Sequence, residues 1–139
     1  MKKEIIRITG IKRTDLPFSH VVKAGDLLFL TSQLSCDLQT GAIIPGDMAT
    51  QTRNALENIK FLLQESGSTL DHVLKVRIFM RDVSDFDEMN KVYREYFKGD
   101  GEPARVTVQA PSPIRGIDIE MEVTAVTGRR ERQAKSNKV

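Results

Sequence analysis

The segment MATQTRNALENIKFLLQESGSTLDHVLKVRIFM, residues 48–80, changes its hydrophobic period from helical to alternating and thereby decides the fold. Behind Asp47, a favourable N-cap residue, apolar or small side chains recur at helical spacing and predict one long amphipathic helix. The helix is expected to end at Ser66-Gly67, where glycine suits the residue after the last turn. The predicted buried stripe consists of Met48, Thr52, Ala55, Leu56, Ile59, Leu62 and Leu63.

Val73–Met80 alternates in the manner of a strand whose two faces differ. One predicted face carries Leu74, Val76, Ile78 and Met80, and the other carries Lys75, Arg77 and Phe79. The presence of Phe79 at a polar position indicates that the second face is not simply exposed to water.

Further strands are predicted on both sides of this segment. Ser19–Ala24 and Leu27–Ser32 are predicted to form a hairpin with a tight turn. The run Leu27-Leu28-Phe29-Leu30 is apolar at both parities, so this strand is expected to be buried on both faces. The last predicted strand has its apolar positions at Ile117, Ile119, Met121, Val123 and Ala125.

A second amphipathic helix is predicted after the strand Val73–Met80. Its apolar positions are Phe86, Met89, Tyr93, Tyr96 and Phe97. Two helices can cover only one face of one sheet, which gives an α+β layer. The strand positions expected to face the helices include Val106, Val108 and Ile119. The positions expected on the opposite face are Arg105, Thr107 and Glu120.

The second face of this sheet has no segment left in the chain to cover it, so we expect another subunit there. A length of 139 residues is that of a single domain. We assign residues 1–128 to this domain and predict a basic, flexible tail at residues 129–139.

The composition restricts the class of protein. The net charge is only +2, and the single cysteine, Cys36, cannot form an intramolecular disulfide. His20 and His72 lie far apart without metal-ligand spacing, so no metal site is predicted. No apolar run reaches the ~18–20 residues of a membrane helix. We expect a cytoplasmic protein with no membrane partner, and nucleic acid is not expected as a partner because stacking aromatics are scarce.

Three motifs point to a known family: Pro103-Ala104-Arg105, the segment QTRNALEN at residues 51–58, and Ile119-Glu120-Met121. With these motifs the sequence resembles the YjgF/YER057c/UK114 family, also called the Rid family of imine deaminases. The resemblance spans about Leu16 to Val126 and is specific because its motifs follow in family order and spacing. It implies a chorismate-mutase-like α+β subunit in a homotrimer, with the sheets lining a central barrel and ligand clefts between subunits.

The resemblance also implies an activity, namely cofactor-independent hydrolysis of reactive enamines and imines such as 2-aminoacrylate or 2-iminobutanoate to 2-keto acids and ammonia. The implied substrate is a small imine that carries a carboxylate. Two other functions stay open: a non-catalytic small-molecule-binding or regulatory trimer, and an endoribonuclease or translation inhibitor. The sequence supports the last function least, since it shows no histidine pair and no basic surface with aromatics.

By motif position, Arg105 is the family arginine, whose forked guanidinium can hold a carboxylate through two parallel hydrogen bonds. Glu120 matches the family glutamate that positions a water for attack on the C=N carbon. Asn90 matches the family asparagine on the second helix, with a solvent-exposed polar residue as the alternative. For Arg105 the alternative is an ion pair with Glu120 or Glu122 at a subunit interface, which would hold subunits together without chemistry.

Four positions are expected to contact substrate. Three of them, Phe18, Ser32 and Thr107, depart from the family pattern, and Thr31 stands next to Ser32. The family's Ser-Gly-Gln is Thr31-Ser32-Gln33 here, so Thr31 keeps a hydroxyl while Ser32 replaces a glycine that permits close ligand approach. Phe18 stands in place of a tyrosine and lacks its hydroxyl. Thr107 stands at the position of a small thiol. These departures are expected to affect the choice of substrate.

Overall fold

A computed structural model describes residues 1–128 and shows one six-stranded sheet with two α-helices. In chain order its elements are β1 (Lys3–Ile6), β2 (Val21–Ala24), β3 (Leu27–Gln33), α1 (Met48–Glu65), β4 (Val73–Met80), α2 (Phe86–Tyr96), β5 (Ala104–Gln109) and β6 (Ile119–Val126). The strand order is β1-β2-β3-β6-β4-β5. The pair β4 and β5 runs parallel and the other neighbours run antiparallel, so the sheet is mixed. The predicted basic tail at residues 129–139 lies outside the described residues.

The predicted long helix is confirmed as α1. Asp47 caps its start, since one carboxylate oxygen accepts a hydrogen bond from the backbone N–H of Thr50 at 2.8 Å. At the other end, the Ser66 N–H donates to the carbonyl of Leu62, and Gly67 follows with a φ of +82°, a conformation that favours glycine. The whole predicted stripe of α1 is buried. Within the described part of the chain, neither helix has the length and apolarity needed to cross a membrane.

The predicted faces of β4 are confirmed from Val76 onward but not at the start of the strand. The register between β4 and β6 shifts between Val73 and Lys75, and this irregularity turns the side chain of Leu74 outward. Leu74 is 46% exposed, whereas Val73 is only 6% exposed. The prediction that Leu74 shares a face with Val76, Ile78 and Met80 is therefore wrong, because strict alternation does not continue through a β-bulge.

The helices α1 and α2 cover one face of the sheet, which we call the helix side. The core strand residues on this side include Leu28, Leu30, Val76, Ile78, Ile119 and Met121. The opposite face, called here the open face, is not covered by any described segment. Phe29, Val106 and Val108 are 44%, 41% and 42% exposed on it. Exposed apolar surface of this kind is typical of an interaction face.

The faces of β5 are the reverse of the prediction. In the parallel register with β4, Arg105 lies next to Val76 and Val106 lies next to Arg77. Val76 is fully buried on the helix side, so Arg105 and Thr107 project towards the helices while the valines lie on the open face. The alternation was predicted correctly, but it could not identify the inner face because this sheet carries apolar side chains on both faces.

Gln51 is a buried polar residue that ties the start of α1 to the segment before β6. It is 1% exposed. Its amide nitrogen donates to the Gly116 carbonyl and the Asp118 carboxylate, both at 3.2 Å, and its oxygen accepts from the Asp118 N–H at 2.8 Å. These bonds join two segments that are distant in sequence.

Replacing Gln51 by alanine is expected to lower the free energy of unfolding by about 2–4 kcal/mol, because several buried polar groups lose their partners at once. Urea unfolding measures this change. The exposed Gln64→Ala variant is the matched control and should differ little from the parent. A loss below about 1 kcal/mol for Gln51→Ala would contradict the structural role.

Candidate functional site

Arg105 lies on the edge strand β5, on the helix side of the sheet. Its Nη1 donates a hydrogen bond to Oδ1 of Asn90 on α2 at 2.6 Å. Asn90 is buried, with 9% exposure, so it is not the solvent-facing residue of the alternative interpretation. Among the described residues, Asn90 is the only side chain that hydrogen-bonds Arg105, which leaves most of the guanidinium fork for a ligand.

Two aromatic rings of α2 also contact the guanidinium of Arg105. Its central carbon lies 4.8 Å from the ring centre of Tyr93 and 5.6 Å from that of Phe86. Such cation–π contacts help to hold a guanidinium in one orientation. Burial raises the pKa of Tyr93 to about 12, so its phenol is neutral at physiological pH. Both aromatics were predicted only as apolar positions of the second helix, and their helical spacing from Asn90 is the one signal that could have indicated this contact.

Two hydroxyls of this region are buried without a hydrogen-bond partner among the described residues. They are Oη of Tyr93 and Oγ1 of Thr107. Thr107 follows Arg105 by two residues and therefore projects from the same face of β5. A buried hydroxyl without a partner costs about 1–3 kcal/mol, which a ligand can offset by providing the missing bond. The Arg105 guanidinium and these two hydroxyls can together bind a small anion that carries a second polar group.

Glu120 occupies a different part of the molecule. It lies on the open face, where its partner in register on β4 is Phe79. Its Oε1 accepts a hydrogen bond from Oγ of Ser32 on β3 at 2.8 Å. The fold therefore brings the predicted water-positioning carboxylate together with one of the predicted substrate-binding residues.

A cleft of about 440 Å³ opens beside Ser32. Phe18 and Thr31 line the same cleft, so three of the predicted substrate-binding residues lie together. The ring of Phe18 is 45% exposed and packs edge-on against His20, with 5.9 Å between ring centres. Cys36 also lines the cleft, and burial raises the pKa of its thiol, so this cysteine is a poor nucleophile near neutral pH.

The expectation that Arg105 and Glu120 project from the same face is wrong. Arg105 pairs with Val76 on β4, and Glu120 pairs with Phe79 on the other side of the same strand. Val76 and Phe79 are three residues apart on β4, so they and their partners point to opposite faces. Within one chain this geometry keeps Arg105 and Glu120 apart, and an ion pair between them across a subunit interface stays a prediction.

Each chain therefore carries two half-sites. The arginine half-site consists of Arg105, Asn90, Tyr93 and Thr107. The glutamate half-site consists of Glu120, Ser32, Thr31 and Phe18 with the adjoining cleft. Within its own chain Glu122, the other suggested partner of the arginine, forms an ion pair with Arg77 at 3.5 Å. Neither half-site alone places both a guanidinium and a carboxylate around one small molecule.

The strand order, the single parallel pair in the described sheet and the two helices on one face define an α+β protein with a mixed sheet. Residues 12–127 match the protein family described as Endoribonuclease L-PSP. The chain belongs to this family, which is also called the YjgF, RutC or Rid family, and the resemblance seen in the motifs is thereby confirmed.

Relatives and solved structures agree with this assignment. A RutC family protein of Pyrococcus abyssi is 40% identical over 125 residues, which are 90% of this chain and 98% of the relative. A mouse 2-iminobutanoate/2-iminopropanoate deaminase is 29% identical over 126 residues, which are 91% of this chain and 93% of the relative. The crystal structure of a Rid-family protein of unknown function from Yersinia pestis has a TM-score of 0.83 at 30% identity and covers 91% of this chain and 100% of its own.

Proposed function

We propose that the protein is a homotrimeric hydrolase of small enamines and imines that carry a carboxylate, and that it releases a 2-keto acid and ammonia without a cofactor. The observation that carries the proposal is the Arg105 guanidinium, which is held by Asn90 and Tyr93 and keeps donors for a ligand. A planar fork of this kind fits the carboxylate of a 2-imino acid. The similarity to the mouse deaminase supports the same class of reaction.

The proposed active site forms between two subunits of a ring. The open face of each chain exposes Phe29, Val106 and Val108, and a neighbouring chain can cover these side chains. In a head-to-tail ring of three chains, the arginine half-site of one chain can meet the glutamate half-site of the next. This assembly accounts for the separation of Arg105 and Glu120 within a single chain.

In this site the substrate carboxylate binds the Arg105 fork, and the Thr107 hydroxyl hydrogen-bonds the substrate. Glu120 takes a proton from a water molecule as the water oxygen bonds to the C=N carbon. The C=N electron pair moves to the nitrogen, which takes up the proton held by Glu120, so the resulting carbinolamine carries a hydroxyl and an amino group on this carbon. Protonation of the nitrogen, breakage of the C–N bond and loss of the hydroxyl proton then give the 2-keto acid and ammonia.

Hydrolysis of 2-iminopropanoate tests this proposal directly. An amino-acid oxidase acting on alanine generates the imine in situ, with catalase present, and pyruvate and ammonia are followed with and without the protein. We expect the protein to accelerate hydrolysis well above the uncatalysed rate. No acceleration by a preparation that light scattering shows to be trimeric would contradict the deaminase proposal.

Coexpression of Arg105→Ala and Glu120→Gln chains is expected to restore activity that neither variant has alone. Some clefts of a mixed ring combine an intact Arg105 from one chain with an intact Glu120 from the next. With random mixing in equal amounts, about one quarter of the clefts are intact, so activity should reach about one quarter of the parent value. Purified single-variant trimers mixed without subunit exchange are the control. Coexpressed trimers with no recovery would contradict a site shared between chains.

A small-molecule-binding or regulatory trimer is the second candidate, because the hydroxyl of Ser32 already occupies one carboxylate oxygen of Glu120. Binding of 2-ketobutyrate without hydrolysis of any imine would favour this candidate.

We do not propose ribonuclease activity, since His20 is the only histidine among the described residues that line the cleft. The cytoplasmic location stays a prediction.

A further inference from the structure

The backbone at Ser32 departs from regular strand geometry. Leu30 lies opposite Val123 and Gln33 lies opposite Met121, so three steps along β3 correspond to two steps along β6. The extra residue on β3 makes a β-bulge that includes Ser32. Strict alternation from Leu30 would place Ser32 on the helix side, whereas the bulge lets its hydroxyl reach the open face.

The Ser32 hydroxyl has one proton to donate, and it donates this proton to Oε1 of Glu120 at 2.8 Å. A hydrogen bond to a carboxylate is roughly twice as strong as one between neutral groups. Ser32 lines the cleft, whereas Glu120 is not among the described residues that line it. The serine therefore stands between the cleft and the carboxylate of its own chain.

The neighbour of Glu120 on β4 cannot fix its carboxylate in this way. Phe79, its partner in register on β4, carries no hydrogen-bonding group. In the described part of the chain, Ser32 is the only side chain that hydrogen-bonds Glu120. Without this bond the flexible glutamate side chain can adopt several rotamers on the open face.

We infer that Ser32 is a positioning residue that fixes Oε1 of Glu120 and leaves Oε2 as the oxygen that holds the attacking water. The inference rests on the proposed function and deepens it, because Ser32 acts on the general base rather than on the substrate. The family motif that the sequence resembles has glycine at this position, where this chain carries the Ser32 hydroxyl. The β-bulge on β3 directs the Ser32 hydroxyl towards Glu120.

Ser32→Ala tests the inference with 2-iminopropanoate as substrate. The variant is expected to lower kcat roughly 10- to 100-fold, the usual size of a lost hydrogen bond to a charged group, with KM within about twofold of the parent. Ser32→Thr keeps the hydroxyl and should stay within about threefold of the parent. Ser84→Ala removes an exposed hydroxyl away from the cleft and serves as the control for expression and assembly.

A double-mutant cycle separates positioning from a change of cleft shape. In the Glu120→Gln background, Ser32→Ala should change kcat by less than about twofold, because the two side chains act as one unit. Equal losses in both backgrounds, an unchanged kcat in Ser32→Ala, or a change confined to KM would overturn the inference and leave the deaminase proposal standing. A parent protein that does not hydrolyse the imine would overturn the proposed function, and the positioning role with it.

Discussion

Replacing Glu120 by glutamine is expected to slow the hydrolysis of 2-iminopropanoate by about 10²–10⁴-fold, the usual effect of removing a general base. The amide has the size of the carboxylate, and its oxygen can still accept the hydrogen bond from Ser32. It cannot take a proton from the attacking water. Since the arginine half-site is unchanged, the loss should fall on kcat while KM changes little.

Glu122→Gln is the matched control for this variant. Glu122 lies on the same strand and the same face as Glu120, but it pairs with Arg77 through a half-exposed contact. Glu122 belongs to neither half-site, so Glu122→Gln should keep nearly the parent rate. If Glu120→Gln hydrolyses the imine as fast as the parent, water attack needs no carboxylate and Glu120 is structural.

Arg105→Lys is expected to lower kcat/KM about ten- to more than a hundredfold, although the positive charge is kept. Lysine cannot present two coplanar donors to a carboxylate while it also bonds Asn90 and packs against the Tyr93 ring. The loss of a hydrogen bond to a charged group costs about 1.5–3 kcal/mol, which corresponds to this range. Steady-state kinetics on 2-iminopropanoate measure the change.

The loss of kcat/KM in Arg105→Lys should be smaller for an imine that lacks a carboxylate, because the second donor of the guanidinium then has no acceptor to bind. Arg53→Lys is the control, since Arg53 pairs with Glu95 at 2.8 Å on the outer surface of the helices, where both side chains are about half exposed. It should leave the kinetics unchanged. Equal rates for Arg105→Lys and the parent, both as trimers, would remove the main support for the deaminase proposal.

The elements that could be predicted from the sequence are those with one buried apolar face and one polar face. The stripe of α1 and the alternation of β6 were predicted correctly, because each segment is apolar on one side and polar on the other. The orientation of β5 was not, since Val106 and Val108 belong to an apolar open face that alternation cannot distinguish from the core. Leu74 was misplaced because a bulge interrupts its strand.

The sequence suggested candidate site residues but not their arrangement. Motif positions selected Arg105, Glu120 and Asn90 as candidates, and the structure joins Arg105 to Asn90 by a hydrogen bond. The opposite orientation of Arg105 and Glu120 depends on how β5 and β6 pair with β4, which residue spacing does not encode. The bond from Ser32 to Glu120 depends on a backbone irregularity with no sequence signal of its own.

The position of β6 in the sheet has a consequence for biosynthesis. This last described strand lies in the interior of the sheet, between β3 and β4, and it pairs Val123 with both Leu30 and Val76. Until synthesis has passed Val126, the nascent chain has two separate groups of strands, each with an unpaired inner edge. Folding can therefore be completed only after most of the chain has emerged. This step is slow because β6 must pair with strands that are distant in sequence. A chain that is cut before β6 leaves two aggregation-prone edges instead of a smaller stable domain.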